Sequence, residues 1–133
     1  MNFIDNKDGT ISDTDTGLMW QQITAPGTYT WDYAMEYCKS LNLAGFTDWR
    51  LPTIKELVSI VEYSRYSPAI NTDYFLGTLE LHYWSSTTYA CITSTAWLVD
   101  FNIGDIFVNN KLNNYYVRAV RGGHRPEVGK EEK

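Results

Sequence analysis

His82 stands three residues before Ser85 in the string Leu81-His82-Tyr83-Trp84-Ser85-Ser86, so an imidazole base and a hydroxyl lie close in sequence. Nucleophilic catalysis needs those groups within hydrogen-bond reach and a third group to orient the base. No strained G-x-S-x-G elbow surrounds either serine. On a strand, moreover, His82 and Ser85 point to opposite faces, and catalysis is not expected from this cluster. His82, His124, Cys38 and Cys91 are the soft-ligand candidates for a metal, but their spacing matches no metal site. Neither a metal nor a cofactor is expected.

Two acidic segments invite chemistry of another kind. Asp5, Asn6, Asp8 and Gly9 look like part of a calcium loop. With Gly9 at the sixth position, however, Ile4 falls at the first, where an oxygen ligand is required. A tight turn through Asp8-Gly9, with its positive-φ residues, is the better reading. Asp48-Trp49-Arg50 sets a carboxylate beside a guanidinium. Its expected use is an ion pair that pins the loop before the helix that follows.

The elements that position these residues can be read from periodicity. Phe3-Ile4-Asp5 and Thr10-Ile11-Ser12 flank the turn as a hairpin, and Gly17 to Gln21 is a further strand before Ala25-Pro26-Gly27 breaks the chain. Thr30 is the expected N-cap of a first helix, with Trp31, Ala34, Met35, Cys38 and Leu41 on one apolar face and Gly45 at its exit or beyond. Thr53-Ile54-Lys55-Glu56 is a capping box that opens a second helix, continued by Leu57, Ile60 and Val61. An irregular connection through Ser67-Pro68 runs to about Leu81.

From Tyr83 the pattern turns to period two. Tyr83 to Thr87 and Ala96 to Phe101 read as strands, with Trp97, Val99 and Phe101 on one face of the second. Asn102-Ile103-Gly104-Asp105 is a hairpin turn into Ile106 to Asn109. Tyr116 to Arg121 is the last strand, where Val117 and Ala119 face opposite to Arg118 and Val120. Trp20, Trp49, Trp84 and Trp97 are expected in the interior. Cys38 and Cys91 allow one disulfide at most, the alternative being two small buried apolar residues.

The chain has 133 residues, enough for one hydrophobic core, so one domain over 1–124 with a charged flexible tail at 125–133 is expected. Five Trp and ten Tyr supply rigid side chains with polar tips, which suit an interaction surface as well as a core. A net charge of −5 has the wrong sign for neutralising phosphates, so nucleic acid is not an expected partner; the one basic cluster is Arg118, Arg121, His124 and Arg125. No apolar run is long enough to span a bilayer, and the start lacks the basic and apolar regions of a signal peptide. Membrane insertion is not expected. Export would require a signal or carrier region absent from this chain.

Several strings together resemble the Legionella collagen-like protein C-terminal domain family. They are Asp8-Gly9-Thr10, Asp15-x-Gly17-Leu18-Met19-Trp20, Asp48-Trp49-Arg50-Leu51-Pro52-Thr53 with Glu56-Leu57, Tyr83-Trp84-Ser85-Ser86, Ala96-Trp97-x-Val99-x-Phe101-x-x-Gly104 and Val117-Arg118-x-Val120-Arg121. They follow in order over nearly the whole chain. The resemblance implies an α+β, C-type-lectin-like fold: two helices flanking a small antiparallel sheet, with the N- and C-terminal strands paired. It implies non-enzymatic ligand binding, as in relatives on bacterial adhesins and in variable proteins of diversity-generating retroelements. It also implies an extracellular, cell-surface or virion-associated place, a protein or glycan ligand on another cell or surface, and, by analogy with adhesins, an oligomer such as a trimer. The sequence lacks the E-P-N, Q-P-D and W-N-D strings of calcium-dependent sugar binding. Formylglycine-generating enzymes share the fold, but no cysteine pair stands here in a matching context.

Between the strings of that frame the residues are mostly Asn, Tyr, Ser, Thr and Asp. The candidate ligand-binding set is Tyr89, Ile92, Thr93, Ser94, Asn102, Asp105, Phe107, Asn109, Asn110, Asn113, Asn114, Tyr115 and Tyr116. Antibody paratopes have a similar composition, because tyrosine gives contact area at low entropy cost and Asn or Ser adapts its hydrogen bonds. Between Glu80 and Lys111 there is no Glu, Gln, Lys or Met. Adenine-directed mutagenesis of asparagine-type codons would leave that gap, which suggests a surface diversified by a retroelement. The competing expectation is a fixed adhesin domain for sulfated or acidic glycans, with Arg118, Arg121 or Lys111 contributing charge. Ordinary strand and turn usage of Asn and Tyr is the plainest alternative.

Overall fold

Lys7 and Gly9 both take positive φ, 63° and 90°, and this lets the chain reverse between β1 (Phe3–Asp5) and β2 (Thr10–Asp13). The computed structural model describes residues 2–123, so the tail beyond them, with His124 and Arg125, lies outside the described residues. Asp5 Oδ1 accepts from the Lys7 amide at 2.9 Å, and Asp8 Oδ1 accepts from the Thr10 hydroxyl at 2.6 Å. The carboxylates of this loop thus serve the turn. The left-handed residues are Lys7 and Gly9, where Asp8-Gly9 was expected.

β2 pairs with β3 (Leu18–Gln21), and β3 with β7 (Val120–Gly122), all antiparallel, in the order β1-β2-β3-β7. A second antiparallel sheet, order β4-β5-β6, is formed by β4 (His82–Thr88), β5 (Thr95–Asp100) and β6 (Asp105–Asn110). Two helices, α1 (Trp31–Ser40) and α2 (Ile54–Val58), complete the described part. The class is α+β as expected. Two features differ from the expectation: the strands form two sheets, and the C-terminal strand pairs with β3, two places in from β1.

The reason lies in residues 115–120. Tyr115 exchanges amide bonds with Tyr29, Tyr116 bonds His82 and Trp84, Val117 O accepts from Ala25, Ala119 O accepts from Gln21, and Val120 exchanges with Arg50. A segment whose partners change at almost every residue builds no continuous ladder. The expected strand Tyr116 to Arg121 is therefore reduced to Val120–Gly122, and the segment runs as a ribbon between the sheets.

Two clusters form the core. Ile11, Leu18, Trp20, Leu57, Phe75, Tyr83, Val99 and Phe101 belong to one; Ala34, Cys38, Trp49, Leu51, Trp84, Leu98, Val117 and Ala119 belong to the other. β5 is the central strand and feeds both, Val99 and, just past its end, Phe101 the first and Ala96 and Leu98 the second. Burial on both faces explains why Leu98 and Val99 are adjacent and both inside, where one buried face was expected. Trp97 is the exception among the four tryptophans expected inside: it is half-buried, with Tyr89 edge-on at 5.3 Å.

α1 buries Ala34 and Cys38 and half-buries Trp31 and Leu41, but Met35 is 38% exposed, at one edge of the apolar stripe. Thr30 is its N-cap by backbone conformation and makes no side-chain capping bond. α2 carries the expected capping box in full: the Thr53 hydroxyl accepts from the Glu56 amide at 3.2 Å, and Glu56 Oε1 accepts from the Thr53 amide at 2.9 Å. Cys38 is buried and Cys91 exposed, and both are free. Burial pushes the Cys38 thiol up to about 12, which leaves it a packing group rather than a nucleophile.

Asp48 and Arg50 do not pair with each other as expected. Arg50 donates to both Glu56 carboxylate oxygens, at 2.7 and 2.8 Å, and to the Gly122 carbonyl at 3.0 Å. Asp48 instead accepts from Arg121 Nε at 2.6 Å and Nη2 at 3.0 Å. Asp48 and Arg50, two residues apart, fall on one side of an extended segment, but each meets a stronger partner there than the other. The Asp48–Arg121 pair and the Arg50–Gly122 bond fasten the loop before α2 to the C-terminal strand, and the Arg50–Glu56 pair fastens it to α2.

Candidate recognition surface

Gly104 turns β5 into β6 at a φ of 87°, and a Cβ there would lie 2.7 Å from Val61 Cγ1. Only glycine fits this turn without displacing the core. The hairpin it closes is six pairs long, from Asp100↔Asp105 to Thr95↔Asn110. Its two ends are about 17 Å apart at strand rise, and this length divides the candidate set.

Along one face of the hairpin lies a contiguous patch. Register puts Asp105, Phe107 and Asn109 on one face of β6, opposite Asp100, Leu98 and Ala96. Phe107, 43% exposed, meets the His82 ring edge-on at 5.9 Å, and Tyr115 meets the same ring at 5.2 Å. Tyr115 also stands edge-on over buried Trp84 at 5.0 Å, and Trp84 Nε1 donates to the Tyr29 carbonyl at 2.8 Å. The aromatic patch therefore rests on a fixed indole. Asn113 Nδ2 donates to Asn109 Oδ1 at 2.9 Å and lies 3.4 Å from the Tyr115 hydroxyl. Phe107, Asn109, Asn113 and Tyr115 come together, with His82 between the rings.

Around this patch stand the exposed tips. Ile92, 56% exposed, with Thr93 and Ser94 caps the β4–β5 connection, and the Lys111 amide donates to the Ser94 carbonyl at 2.9 Å. That bond ties the tip to the turn carrying exposed Asn110 and Asn113. Asn114 is exposed and faces α1. Tyr89 lies on the opposite sheet face beside Trp97.

Two candidates fall elsewhere. Asn102 sits at the Gly104 turn, where its Oδ1 accepts from the Ser67 hydroxyl at 2.6 Å, whereas exposed Asp105 shares the Phe107 face and borders the patch on the His82 side, Asp100 being the strand partner of both. Tyr116 is half-buried against the core, its ring 5.8 Å from Tyr83. The sequence presents His82 only as a base or a soft metal ligand. In the structure Ser85 is fully buried and its hydroxyl donates to the Trp97 carbonyl at 2.6 Å, on the face away from His82. The signal that could have placed His82 in the patch was its position two residues before Trp84 on the same face of β4.

The cations expected to contribute charge are engaged within the chain. Arg118 is 1% exposed and donates to the Gln21 and Gln22 carbonyls and to the Thr24 and Thr78 hydroxyls, correcting its expected place on a charged surface. Arg121 is held by Asp48 and lies over the Phe46 ring at 3.7 Å. Lys111 donates to Thr88 at 2.9 Å, with its ammonium 4.1 Å from the Trp31 ring centroid. Among the described residues no group of His, Cys, Asp or Glu could hold a metal ion, and no helix is long and apolar enough to cross a membrane.

These features define a small α+β domain in which a two-sheet scaffold holds a part-exposed patch of aromatic and asparagine side chains along one hairpin face. The model of the Lcl C-terminal domain family matches residues 9–121, and the chain belongs to that family. The matched span contains both sheets apart from β1 and the last residue of β7. No curated protein sequence matches the chain.

Proposed function

We propose that this chain is a non-enzymatic recognition domain of the adhesion type, displayed at a bacterial or virion surface, which binds its ligand through the patch of Phe107, His82, Tyr115, Asn109 and Asn113. The single observation that carries the reading is the Phe107-His82-Tyr115 ring contact, exposed at Phe107 and half-buried at His82 and Tyr115, which rests on a buried tryptophan and is bordered by asparagine amides. Rigid rings give contact area at low entropy cost, and neighbouring amides give direction. Membership of the Lcl C-terminal domain family supports recognition as the function class. We further read the scaffold as C-type-lectin-like, since N- and C-terminal strands share one sheet and the second sheet carries the variable hairpin.

The test is a glycan and protein array probed with the labelled domain beside its Phe107→Ala and Asn113→Ala variants. Each variant is expected to weaken a specific signal by about 1–3 kcal/mol, roughly 5- to 150-fold, while the melting curve stays close to the parent. Equal binding by parent and variants to every ligand on the array would overturn the placement of the site.

The composition between Glu80 and Lys111 favours retroelement diversification as the finer reading. The exposure of Ile92, Thr93, Ser94, Asn110 and Asn113 supports it, because exposed tips tolerate rewriting. The gene is then expected beside a reverse transcriptase and a near-identical repeat whose differences fall at adenines. A neighbourhood without either sinks this version and leaves a fixed binder. The acidic-glycan version draws less support, since Arg118 is buried and Arg121 and Lys111 have internal partners.

A further inference from the structure

α1 has a second stripe, half-buried at Tyr37, which packs against the second core cluster, and exposed at Tyr33, Glu36 and Ser40. Tyr33, Glu36, Tyr37 and Ser40 recur at three- and four-residue spacing, so they line one side of the helix. Opposite them run Tyr29 and Asn114, and the space between is a cleft of 380 Å³, within the range of about 300–1,000 Å³ of small-molecule sites. Three tyrosines and one carboxylate surround it, and no lysine or arginine lines it.

The state of the three tyrosines matters. Tyr29 and Tyr37 rings lie 5.2 Å apart at 42°, as two panels of a cage. The Tyr29 hydroxyl donates to the Pro26 carbonyl at 2.5 Å, and the Tyr37 hydroxyl accepts from Gln21 Nε2 at 2.8 Å. Both hydroxyls are thereby tethered. Tyr33 is 69% exposed and closes the outer side.

We infer that this cleft is a binding site for a methylated organic ammonium group, held by the Tyr29, Tyr33 and Tyr37 rings and the Glu36 carboxylate. Ring faces attract a cation through their quadrupole, and the carboxylate adds a Coulomb term near the rim. A primary ammonium carries three donors that each require an acceptor. With two hydroxyls already tethered, the cage presents mainly ring surface, which suits a cation whose hydrogens are replaced by methyls. The cleft adjoins the patch, since Tyr29 exchanges backbone bonds with Tyr115 and Asn114 precedes it, while Tyr33 and Glu36 stand on the α1 side.

The experiment is a titration of the intact domain with tetramethylammonium and choline chlorides at constant ionic strength, followed by calorimetry and by the NMR shifts of the tyrosine rings. A neutral carbon isostere of choline, 3,3-dimethylbutan-1-ol, serves as control. Saturable binding with Kd on the order of millimolar is expected for both cations, with ring shifts at Tyr29, Tyr33 and Tyr37. Tyr33→Ala should weaken it about 5- to 30-fold, with its melting curve verifying the fold. Glu36→Gln, which keeps the rings, should weaken it about 5-fold. Equal binding of the isostere, no saturable shift, or unchanged affinity in Tyr33→Ala would each overturn the inference. Because Tyr33 and Glu36 do not touch the Phe107 patch, array binding by these variants should persist, and the two proposals fail independently.

Discussion

Replacing Arg118 by methionine is expected to lower the free energy of unfolding by about 3–5 kcal/mol, measured by chemical denaturation at neutral pH. The guanidinium is 1% exposed and is the shared donor for two backbone carbonyls and two hydroxyls drawn from the exit of β3 and the 76–78 loop. Methionine would fill much of the volume while leaving those acceptors buried and unmatched. Burial drives the Arg118 pKa down to about 10, with neighbouring Tyr83 opposing the shift. The side chain still carries its charge at neutral pH. A cation with a depressed folded pKa costs stability while charged, so the hydrogen bonds must outweigh that cost. Arg118→Lys, which keeps the charge and loses the fork, should fall between parent and methionine variant. A loss under about 1 kcal/mol for methionine would show that the acceptors find other donors.

The second large effect is expected at Glu56. Its carboxylate receives two bonds from Arg50 and one from the Thr53 amide, with side chains 22% and 30% exposed for Glu56 and Arg50. Glu56→Ala removes the side-chain half of the α2 capping box, leaving the Thr53 hydroxyl in place, and leaves the Arg50 side chain holding only the Gly122 carbonyl, for a loss of about 2–3 kcal/mol at pH 7. Burial alone would raise the Glu56 carboxyl, but the Arg50 and Thr53 hydrogen bonds outweigh it and hold the group below the ordinary carboxylate range. The sign follows from that direction. Stability from Glu56 is complete above about pH 4.3, the ordinary value, and disappears as pH falls through the lower folded value. Denaturation of parent and Glu56→Gln at a series of pH values should converge toward the acid end. A gap independent of pH would remove the charge from the account.

Those two residues also mark how far the sequence could be read. Glu56 was legible, because a capping box is local and its three-residue spacing names both partners. The D-W-R-L-P-T string was legible as a fastening, but its partners were not. Asp48 reaches Arg121 and Arg50 reaches Glu56, and only the fold sets those distances. Arg118 was misplaced for a related reason. Alternation put it opposite Val117 and Ala119, where solvent is the usual neighbour, whereas here that side is occupied by the loop carrying Leu76 and Thr78.

The same limit applies to the surface. Composition pointed to the region after Glu80, and Phe107, Asn109, Asn113 and Tyr115 do assemble there. It could not tell that Asn102 is engaged by Ser67 at the Gly104 turn, or that Tyr116 packs on the first core cluster while Tyr115 packs on the second, beside His82. His82 entered as a failed base and emerged as the ring between Phe107 and Tyr115. The tyrosines of α1 were invisible for another reason: the helix was read for its buried stripe, and the other stripe has meaning only against Tyr29 and Asn114.

The ribbon of residues 115–120 has a consequence for how such a molecule could change over generations. It seals both interior clusters by backbone bonds to Tyr29, Ala25, Gln21, Arg50 and the start of β4, and those bonds are indifferent to side-chain identity at the hairpin tips. Closure of the architecture and the lettering of its outer loops are thereby uncoupled. Side chains at positions 92–94 and 109–114 can be exchanged while the latch that keeps the two halves shut remains as it was.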